Sequence, residues 1–354
     1  MGDSANIKKG YFYALLAGAS WGAMGIFVKN LSNLGFDSMT ISSFRPTVAV
    51  IAYIIINLIK DPKCFKTDLK GLLLFAFYGV VALDGMFIAS SYAVKYTGVA
   101  TASVLLFINP IIVVVLSYFI FKEKFTVKKF IALVMAILGC CLVVKAYDST
   151  AFKLNLVGII WGITSGFAVA LQNILGKIGI KKYSYKTHLI YSFLFGAIFL
   201  WFFAPPWTLV SSVKDSSTLL NVLGLGIIAT LIPNCSIVKC LQYIEAGKAS
   251  IVASIEPVVA SILAFIIFGE MFEIPQLIGM VMIMSSIVLV QLKDKLQNTA
   301  EEKISTTIQT TSNDEVIDGI TSELIDTGKV TDTTKEKLKN QNEKFRGNMA
   351  LNRE

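Results

Sequence analysis

Long apolar stretches separated by short polar loops make up residues 10–292 of the chain. Each stretch holds about 18 to 24 residues, the length that a helix rising about 1.5 Å per residue needs to cross a hydrocarbon layer about 30 Å thick. The pattern therefore predicts an all-α membrane protein with ten transmembrane helices. The predicted spans are residues 10–29, 39–59, 71–92, 98–121, 128–146, 154–175, 187–204, 219–241, 247–268 and 274–292.

Lysines are concentrated in alternate loops. If the N-terminus is cytoplasmic, the loops on that side hold fifteen lysines, in 1–9, 60–70, 122–129, 177–186 and at 248, whereas the opposite loops hold five. An excess of lysine in short loops marks the cytoplasmic side of a membrane protein. The sequence therefore predicts that both termini lie inside the cell, which an even number of spans permits.

Residues 294–354 differ in composition from the rest of the chain. They are rich in Thr, Lys, Asp, Glu and Asn and contain a single aromatic residue, Phe345. Such a segment cannot bury enough apolar surface to form a core. We predict a polar, mostly disordered cytoplasmic tail.

The chain contains an internal repeat at an offset of 147 residues. Residues 96–125 align without a gap with residues 243–272, and both stretches contain Tyr, Ala-Ser, Ile-x-Pro and Phe-x-Glu-x-Phe. Because each half has five predicted spans, an odd number, consecutive copies have opposite orientations in the membrane. We predict two inverted five-helix repeats, at 1–147 and 148–293. The lysines after the fourth span have uncharged partners after the ninth: Lys122, Lys124, Lys128 and Lys129 align with Gly269, Met271, Pro275 and Gln276.

Several short motifs in these spans are typical of one family. They are Ala-Gly-Ala-Ser-Trp21-Gly22, Arg45 in Ser-Phe-Arg-Pro, Tyr92-Ala-Val-Lys-Tyr96-Thr, Ile-Asn-Pro110 with Phe-Lys-Glu123, and Ile-Glu256-Pro257 with Phe-Gly-Glu270. With these motifs, residues 10–292 resemble the EamA-like branch of the drug/metabolite transporter superfamily. The resemblance implies ten helices, both termini inside, a central substrate cavity between the halves, and transport or export of small organic solutes, often amino acids. The chain departs from the commonest family pattern at Asn109, where the second half has a carboxylate.

Proline interrupts one predicted span in each half, at matching sites. Asn109 and Pro110 lie in the fourth span, and Glu256 and Pro257 lie in the ninth. Proline removes a backbone donor and disturbs a helix, and paired interruptions mark midplane binding sites in transporters with inverted repeats. We predict that Glu256 and Asn109 bind substrate or a proton and that the prolines act as helix breaks or gates. The alternative for Glu256 is a carboxylate that bonds to a neighbouring helix for packing.

Arg45 and Asp84 are ionisable residues inside apolar spans. Counted at about 1.5 Å per residue from the outer ends of their helices, they lie roughly 9 Å and 12 Å deep. An unpaired charge at such depth is costly, so we predict an Arg45–Asp84 ion pair that lines the outer half of the cavity. Two alternatives remain open: a buried pair that only orients helices, and an Arg45 that binds a substrate carboxylate.

Trp21, Gln172 and Asn173 complete the predicted cavity lining. Core packing is the alternative for Trp21, and hydrogen bonding between helices is the alternative for the two amides. Glu123 and Glu270 lie at the ends of the fourth and ninth spans, where we expect capping or gate contacts rather than substrate binding.

The predicted function is export of small organic metabolites such as amino acids across the cytoplasmic membrane by alternating access, with Glu256 as the candidate for proton coupling. The chain has no P-loop, and its single histidine, His188, argues against a histidine metal site or a catalytic triad. We therefore expect no enzymatic activity, no cofactor and no metal.

The sequence also permits other functions and partners. The alternatives are a receptor or scaffold that acts through the tail, a nucleotide-sugar carrier and a cationic-drug carrier. The expected partners are a small-molecule substrate and the lipid bilayer. We attribute the net charge of +8 to orientation in the membrane rather than to nucleic-acid binding. A homodimer and a cytoplasmic partner of the tail are further options, and the expected location is the cell membrane, as a multi-pass protein.

Overall fold

Helices make up the described part of the chain. The structure is a computed structural model that describes residues 2–148 and 155–291, and no β-strand occurs among them. The predicted tail, 294–354, lies outside the described residues. The helices before the gap are α1 (Gly2–Gly22), α2 (Met24–Asn33), α3 (Ser38–Lys60), α4 (Leu69–Phe77), α5 (Gly85–Leu106), α6 (Asn109–Phe121) and α7 (Val127–Val143). After the gap come α8 (Leu156–Lys182), α9 (Tyr185–Trp201), α10 (Pro206–Ser212), α11 (Ser216–Leu223), α12 (Ile232–Cys240), α13 (Ala246–Ala253), α14 (Glu256–Phe268) and α15 (Ile274–Gln291).

Several of these helices begin at a capping side chain. Asp68 accepts a hydrogen bond from the Gly71 N–H at the start of α4, and Asp215 accepts one from the Thr218 N–H at the start of α11. Such caps satisfy backbone donors that have no partner within the first turn of a helix. The two aspartates are 147 residues apart, so the cap is part of the internal repeat.

By length and apolarity, seven helical stretches among the described residues could cross a membrane, or eight if the bent pair α9–α10 forms one span. The all-helical membrane class is therefore confirmed, but this number is smaller than the ten predicted spans. The predicted spans 71–92 and 98–121 fall in one stretch of 53 residues, Leu69–Phe121. The predicted span 128–146 corresponds to α7, which has only 17 residues, and the predicted span 187–204 meets a bend of 85° between α9 and α10.

Two helices are broken just before a proline. Phe107–Ile108 separates α5 from α6, and Ser254–Ile255, at the matching place, separates α13 from α14. Pro110 and Pro257 follow in the first turn of α6 and α14, where the missing N–H would have no partner within the helix. A further interruption lies inside α5 at Gly98, whose φ of 82° and ψ of 169° suit a residue without a Cβ.

A π-helical segment occurs at the same place in each half. Tyr78–Asp84 joins α4 to α5, and Gly224–Leu231 joins α11 to α12. π-helical turns are rare and are frequent at functional sites. The repeat therefore extends beyond sequence identity to irregularities of the backbone.

Glycines bring the first helix of each half close to an interrupted helix of the other half. A Cβ added to Gly18 of α1 would lie 2.5 Å from the Ala253 carbonyl oxygen at the end of α13. A Cβ added to Gly166 of α8 would lie 2.8 Å from the Leu105 carbonyl oxygen at the end of α5. Small residues allow such close helix approach within membranes. Each helix break is thereby held against a helix from the opposite half.

The outward surface of the helices is apolar. Large side chains such as Ile59, Phe119 and Leu220 are exposed, whereas Phe75, Tyr78 and Phe193 are fully buried. A soluble protein of this size does not expose such a continuous apolar surface, whereas in a bilayer such side chains face lipid and a helix satisfies the backbone polar groups of its interior.

Candidate substrate cavity

A cavity of about 250 Å³ lies among helices of both halves. It extends from Asn109 and Glu256, directly after the two helix breaks, toward Ser32 and Ser38, on either side of the loop that joins α2 to α3. One member of the predicted site, Asp84, is not among its lining residues. The other six predicted binding residues all line it: Trp21, Arg45, Asn109, Gln172, Asn173 and Glu256.

Arg45 on α3 is held from two sides. Its Nε donates a hydrogen bond to Thr230 Oγ1 at 3.2 Å, and its guanidinium carbon lies 3.7 Å from the centre of the Phe87 ring. The Thr230 hydroxyl in turn donates to the Leu225 carbonyl at 2.9 Å, within the second π-helical segment. The terminal guanidinium nitrogens have no hydrogen-bond partner among the described residues. The planar end of Arg45 is therefore fixed in orientation while its strongest donors remain available to a ligand.

The predicted Arg45–Asp84 ion pair is not formed as a close contact between the two side chains, although the charge of Arg45 still acts on the Asp84 carboxylate. Asp84 is fully buried, and neither of its carboxylate oxygens has a hydrogen-bond partner among the described residues. Its carboxylate lies against α9, since a Cβ added to Gly196 would be 3.1 Å from both oxygens. Asp84 ends the first π-helical segment, and the extra residue of a π-helical turn changes the face on which a side chain lies. Counting depth along a regular helix could not reveal this rotation.

Asn109 connects the two halves at the breaks. Its Nδ2 donates to the Leu106 carbonyl at 3.0 Å, and its Oδ1 accepts from Ser250 Oγ at 3.1 Å. Ser254, which directly follows α13, donates to the Ser250 carbonyl at 3.2 Å. The amide thus fixes the start of α6 against α13 of the second half.

Glu256 is the first residue of α14 and is half-buried. No hydrogen bond or ion pair joins its carboxylate to another described residue, so the packing alternative lacks the helix-to-helix bond it requires. The N-terminal end of a helix carries a partial positive charge that favours a carboxylate. Glu256 and Arg45 therefore place opposite charges on one cavity without pairing with each other.

The two amides of α8 bond in different ways. Gln172 Nε2 donates to the Ala82 carbonyl at 2.9 Å, within the first π-helical segment, so the alternative of a bond between helices is realised for this residue. Asn173 Nδ2 donates to the Val169 carbonyl of its own helix at 3.0 Å. The buried Asn173 Oδ1 has no partner among the described residues. Trp21 is half-buried at the cavity wall.

Sequence reasoning missed several residues of the site. Ser250 and Ser254 are spaced by four, as neighbours on one helical face are, and that spacing upstream of Glu256 could have revealed them. Phe87 and Thr230, which hold Arg45, have no comparable signal, because they lie 42 and 185 residues from it along the chain.

A family model matches most of the described chain. It is that of the EamA-like transporter family, and it matches twice, at residues 8–145 and at residues 156–292. The two matches cover the helices that form the cavity.

Curated relatives are similar over most of their length. An uncharacterized transporter of Archaeoglobus fulgidus is 29% identical over 275 residues, covering 78% of this chain and 93% of the relative. An uncharacterized inner membrane transporter of Salmonella typhimurium, YicL, is 24% identical and covers 81% of this chain and 97% of its own. An uncharacterized transporter of Clostridium kluyveri is 26% identical, with coverage of 85% and 98%.

A solved structure described as a crystal structure of a protein has a TM-score of 0.70 with this chain. The match covers 82% of this chain and 98% of the other, at 14% identity. At that identity the likeness shows a shared fold alone.

Proposed function

The chain belongs to the EamA-like transporter family, and from this membership and the cavity we propose that it exports small organic metabolites, such as amino acids, by alternating access. The chain is a multi-pass protein of the cell membrane, and its relatives are named transporters. The observation that carries the proposal is a central cavity lined by Arg45 and Glu256, which form no ion pair among the described residues.

The lining favours a solute that carries both a carboxylate and an amine. The guanidinium fork of Arg45 matches a carboxylate, and the Glu256 carboxylate matches an ammonium group. The volume, about 250 Å³, lies below the range of about 300–1,000 Å³ that is typical for drug-sized ligands. Size and charge together favour a small amphoteric metabolite over a nucleotide sugar or a cationic drug.

The proposed architecture is ten helices in two inverted repeats, 1–147 and 148–293, with both termini in the cytoplasm. The stretch Leu69–Phe121 has 53 residues and would be about 80 Å long if straight, more than twice the thickness of a bilayer core. A turn back at Gly98 divides it into two spans of ordinary length. Adding this span, α7 and the bent pair that starts with α9 to the seven stretches makes ten.

The two helix breaks supply the proposed axis of alternating access. Asn109 and Glu256 occupy equivalent breaks in the two halves, and the Asn109–Ser250 hydrogen bond joins the halves there. We propose that the halves rock about this plane, exposing the cavity first to one side and then to the other. Binding of a proton at Glu256 is coupled in this proposal to occupancy by the solute.

Transport by the purified protein tests the proposal. Proteoliposomes with an imposed pH gradient are offered radiolabelled L-amino acids, a nucleotide sugar and a cationic dye. We expect movement of one or more amino acids, abolition of this movement by Arg45→Gln, and no movement of the other two compounds. Transport of only the nucleotide sugar or the dye would contradict the assigned substrate class.

The same assay separates a transporter from a scaffold that acts through its tail. A chain shortened by residues 296–354 retains every residue of the cavity. We expect it to transport at the rate of the full chain. Loss of transport on this deletion, with unchanged folding, would favour a function that depends on the tail.

A further inference from the structure

A largely buried set of charged side chains joins α6, α7, α8 and the segment that leads into α13. Glu123, which follows α6, accepts a hydrogen bond from Lys177 Nζ at 2.7 Å through Oε1. The same oxygen accepts from the Ala246 N–H at 3.0 Å, and Oε2 accepts from the Gly247 N–H at 3.3 Å. Glu123 therefore ties the end of α6 to α8 and to the first turn of α13, both in the second half. Charge-assisted hydrogen bonds of this kind are about twice as strong as neutral ones.

A second ion pair, between Lys129 and Glu245, lies beside these bonds. Lys129 Nζ on α7 lies 2.5 Å from Glu245 Oε2 and 3.9 Å from Glu123 Oε2, and it donates to the Lys124 carbonyl at 3.0 Å. Lys129 and Glu123 are both buried. In the proposed topology they lie at the cytoplasmic end, and we name the set formed by Glu123, Lys177, Lys129, Glu245 and the Ala246 and Gly247 N–H groups the cytoplasmic latch.

The internal repeat places an equivalent pair at the opposite end. Glu270 lies 147 residues after Glu123 and follows α14 as Glu123 follows α6. Lys29 lies 148 residues before Lys177, the offset that also relates Gly18 to Gly166 and the starts of the two family matches, residues 8 and 156. Lys29 Nζ and Glu270 Oε1 are 3.2 Å apart. We name these two residues the outer latch.

The outer latch lacks the bonds to backbone N–H groups that Glu123 makes in the cytoplasmic latch. Val99 and Ala100 correspond to Ala246 and Gly247 at the offset of 147, yet no hydrogen bond joins their N–H groups to Glu270 among the described residues. A cavity of about 790 Å³ lies there instead, lined by Val99, Ala100 and Glu270. The Glu270 side chain is 59% exposed, against 7% for Glu123.

The chain differs in conformation at the corresponding hinge positions. Glu245, directly before α13, has an ordinary extended conformation with φ −64° and ψ 145°, and it leads the chain into the bonded helix start. Its counterpart Gly98 has φ 82° and ψ 169°, which glycine permits without strain. Gly98 can therefore change conformation near the outer latch, whereas Glu245 is held in the cytoplasmic latch by its ion pair with Lys129.

We propose that Glu123 and Glu270 are alternating latches of the transport cycle. In this proposal the bonded Glu123 closes the cytoplasmic end, and the cavity opens at the outer end, on the side of Ser32 and Ser38. When the solute moves inward, Glu270 takes the Val99 and Ala100 N–H groups while remaining paired with Lys29, and Glu123 releases Ala246 and Gly247. The two glutamates are positioning residues, because neither lines the central cavity. The names of the two ends rest on the proposed function and topology.

Thiol accessibility tests the latches without a known substrate. Ala249→Cys places a thiol on α13 three residues after Ala246, at a fully buried position. A membrane-impermeant maleimide is applied to the cytoplasmic face of inside-out vesicles, and mass spectrometry measures labelling at position 249 separately from the native cysteines. We expect slow labelling in the parent protein and a rise on the order of tenfold with Glu123→Gln, because the closed state loses about one charge-assisted hydrogen bond. Lys177→Gln gives the same rise and serves if Glu123→Gln does not fold.

Two further variants complete the experiment. Glu270→Gln weakens the outer latch, so labelling of Ala249→Cys stays at or below the parent level. Lys182→Gln removes the exposed Asp68–Lys182 pair, 2.7 Å apart on the same end of α8, and leaves labelling unchanged. Equal labelling in the parent, Glu123→Gln and Lys177→Gln, with all three folded, overturns the latches even if the protein transports amino acids. A rise specific to Glu123→Gln and Lys177→Gln supports the latches even if no solute in the panel moves.

Discussion

The two halves of the molecule share their backbone irregularities but not the ionisable residues inside their membrane spans. The π-helical segments, the helix breaks before Pro110 and Pro257, and the left-handed residues that end α6 and α14, Lys122 and Gly269, recur at an offset of 147 or close to it. The ionisable residues inside the spans do not recur. Arg45, Asp84, Glu256 and Lys239 correspond to Ser192, Leu231, Asn109 and Tyr92.

This difference indicates that the fold requires the repeated backbone irregularities, whereas the cavity requires the charged residues that are not repeated. In the proposed mechanism, breaks and widened turns are needed twice, because the two halves move against each other about a shared plane. Charges inside a membrane are costly, so we expect the two that line the cavity, Arg45 and Glu256, to be used there. The cavity accordingly takes its positive group from the first half and its negative group from the second. The following predictions test this division, from the largest expected effect to the smallest.

Among the variants below, replacement of Glu256 should have the largest effect, because no other carboxylate lines the cavity among the described residues. Glu256→Gln makes the second break resemble the first, with an amide at both. We expect transport driven by a pH gradient to fall on the order of a hundredfold, since a buried charge worth about 2.7 kcal/mol corresponds to that ratio. Flux is measured in proteoliposomes at several pH values.

The control for that variant is Glu273→Gln. Glu273 is an exposed carboxylate at the start of α15 that pairs with Lys145 at 2.6 Å, away from the central cavity. It should transport at the parent rate. Full transport with unchanged pH dependence in Glu256→Gln would exclude the proposed proton coupling.

The geometry of Arg45 should matter more than its charge alone. Arg45→Lys keeps the charge but loses the stacking on Phe87 and the planar fork. We expect about a tenfold higher KM for a solute with a carboxylate. Thr230→Val, which removes the hydroxyl that accepts from Nε, should raise KM about threefold, because one hydrogen bond contributes about 0.5–1.5 kcal/mol.

Thr164→Val is the matched control for Thr230→Val. The Thr164 hydroxyl is exposed and donates to the Ile160 carbonyl of its own helix. Its loss should leave KM unchanged. An Arg45→Lys protein with the parent KM would show that charge alone, without the fork, serves the cavity.

Replacement of Asp84 tests whether a carboxylate inside the membrane spans can lower the stability of the folded protein. Its carboxylate is buried without a hydrogen-bond partner among the described residues. The residue at the same position of the second repeat, Leu231, is apolar. An unsatisfied buried polar group costs about 1–3 kcal/mol, and more when charged. We therefore expect Asp84→Asn to raise the Tm in detergent, measured by thermal unfolding. A fall in Tm would mean that the carboxylate makes a stabilising interaction.

The helix caps should show the smallest effect, since they are exposed and recur in both halves. A hydrogen bond from Lys182 holds the pKa of Asp68 below its usual range, as do those from Tyr183 and the Gly71 N–H. For Asp215, the hydrogen bonds from the Thr218 N–H and hydroxyl lower the pKa.

A lowered pKa in the folded state gives stability above the ordinary aspartate pKa, and this stability is lost as the pH falls through the folded value. Thermal unfolding at pH 7 and near pH 3 should therefore show a smaller acid-induced loss of Tm in Asp68→Asn and Asp215→Asn than in the parent. The change should be larger for Asp68, which also pairs with Lys182. Identical pH profiles in all three proteins would contradict the assigned caps.

Much of the fold could be predicted from sequence because a bilayer imposes simple lengths. Apolar stretches indicated the helices, and matched prolines indicated where two of them break. The number of separate spans could not be read from the described helices alone, because Leu69–Phe121 is one stretch with a break at Gly98 that changes direction rather than composition.

Site residues could be predicted where the residue type and its neighbours in the sequence are informative by themselves. An amide or carboxylate beside a proline, as at Asn109 and Glu256, is visible in the sequence, and so is a lone arginine in an apolar run. The partners of Arg45 were not predictable, because Phe87 and Thr230 reach it only through packing of distant helices.

By itself, the sequence determined the all-helical membrane class, the internal repeat and the residues with charge or hydrogen-bonding capacity in the spans, since these depend on apolar length and residue type. Only the tertiary structure decided which of those residues share a cavity. It turned Asp84 toward α9 through a π-helical turn and left Arg45 without an ion pair among the described residues. It also bonded Glu123 to the start of α13 while Glu270 stayed exposed. The same Phe-x-Glu-x-Phe pattern can pack in two ways, and only the packing of the surrounding helices selects between them.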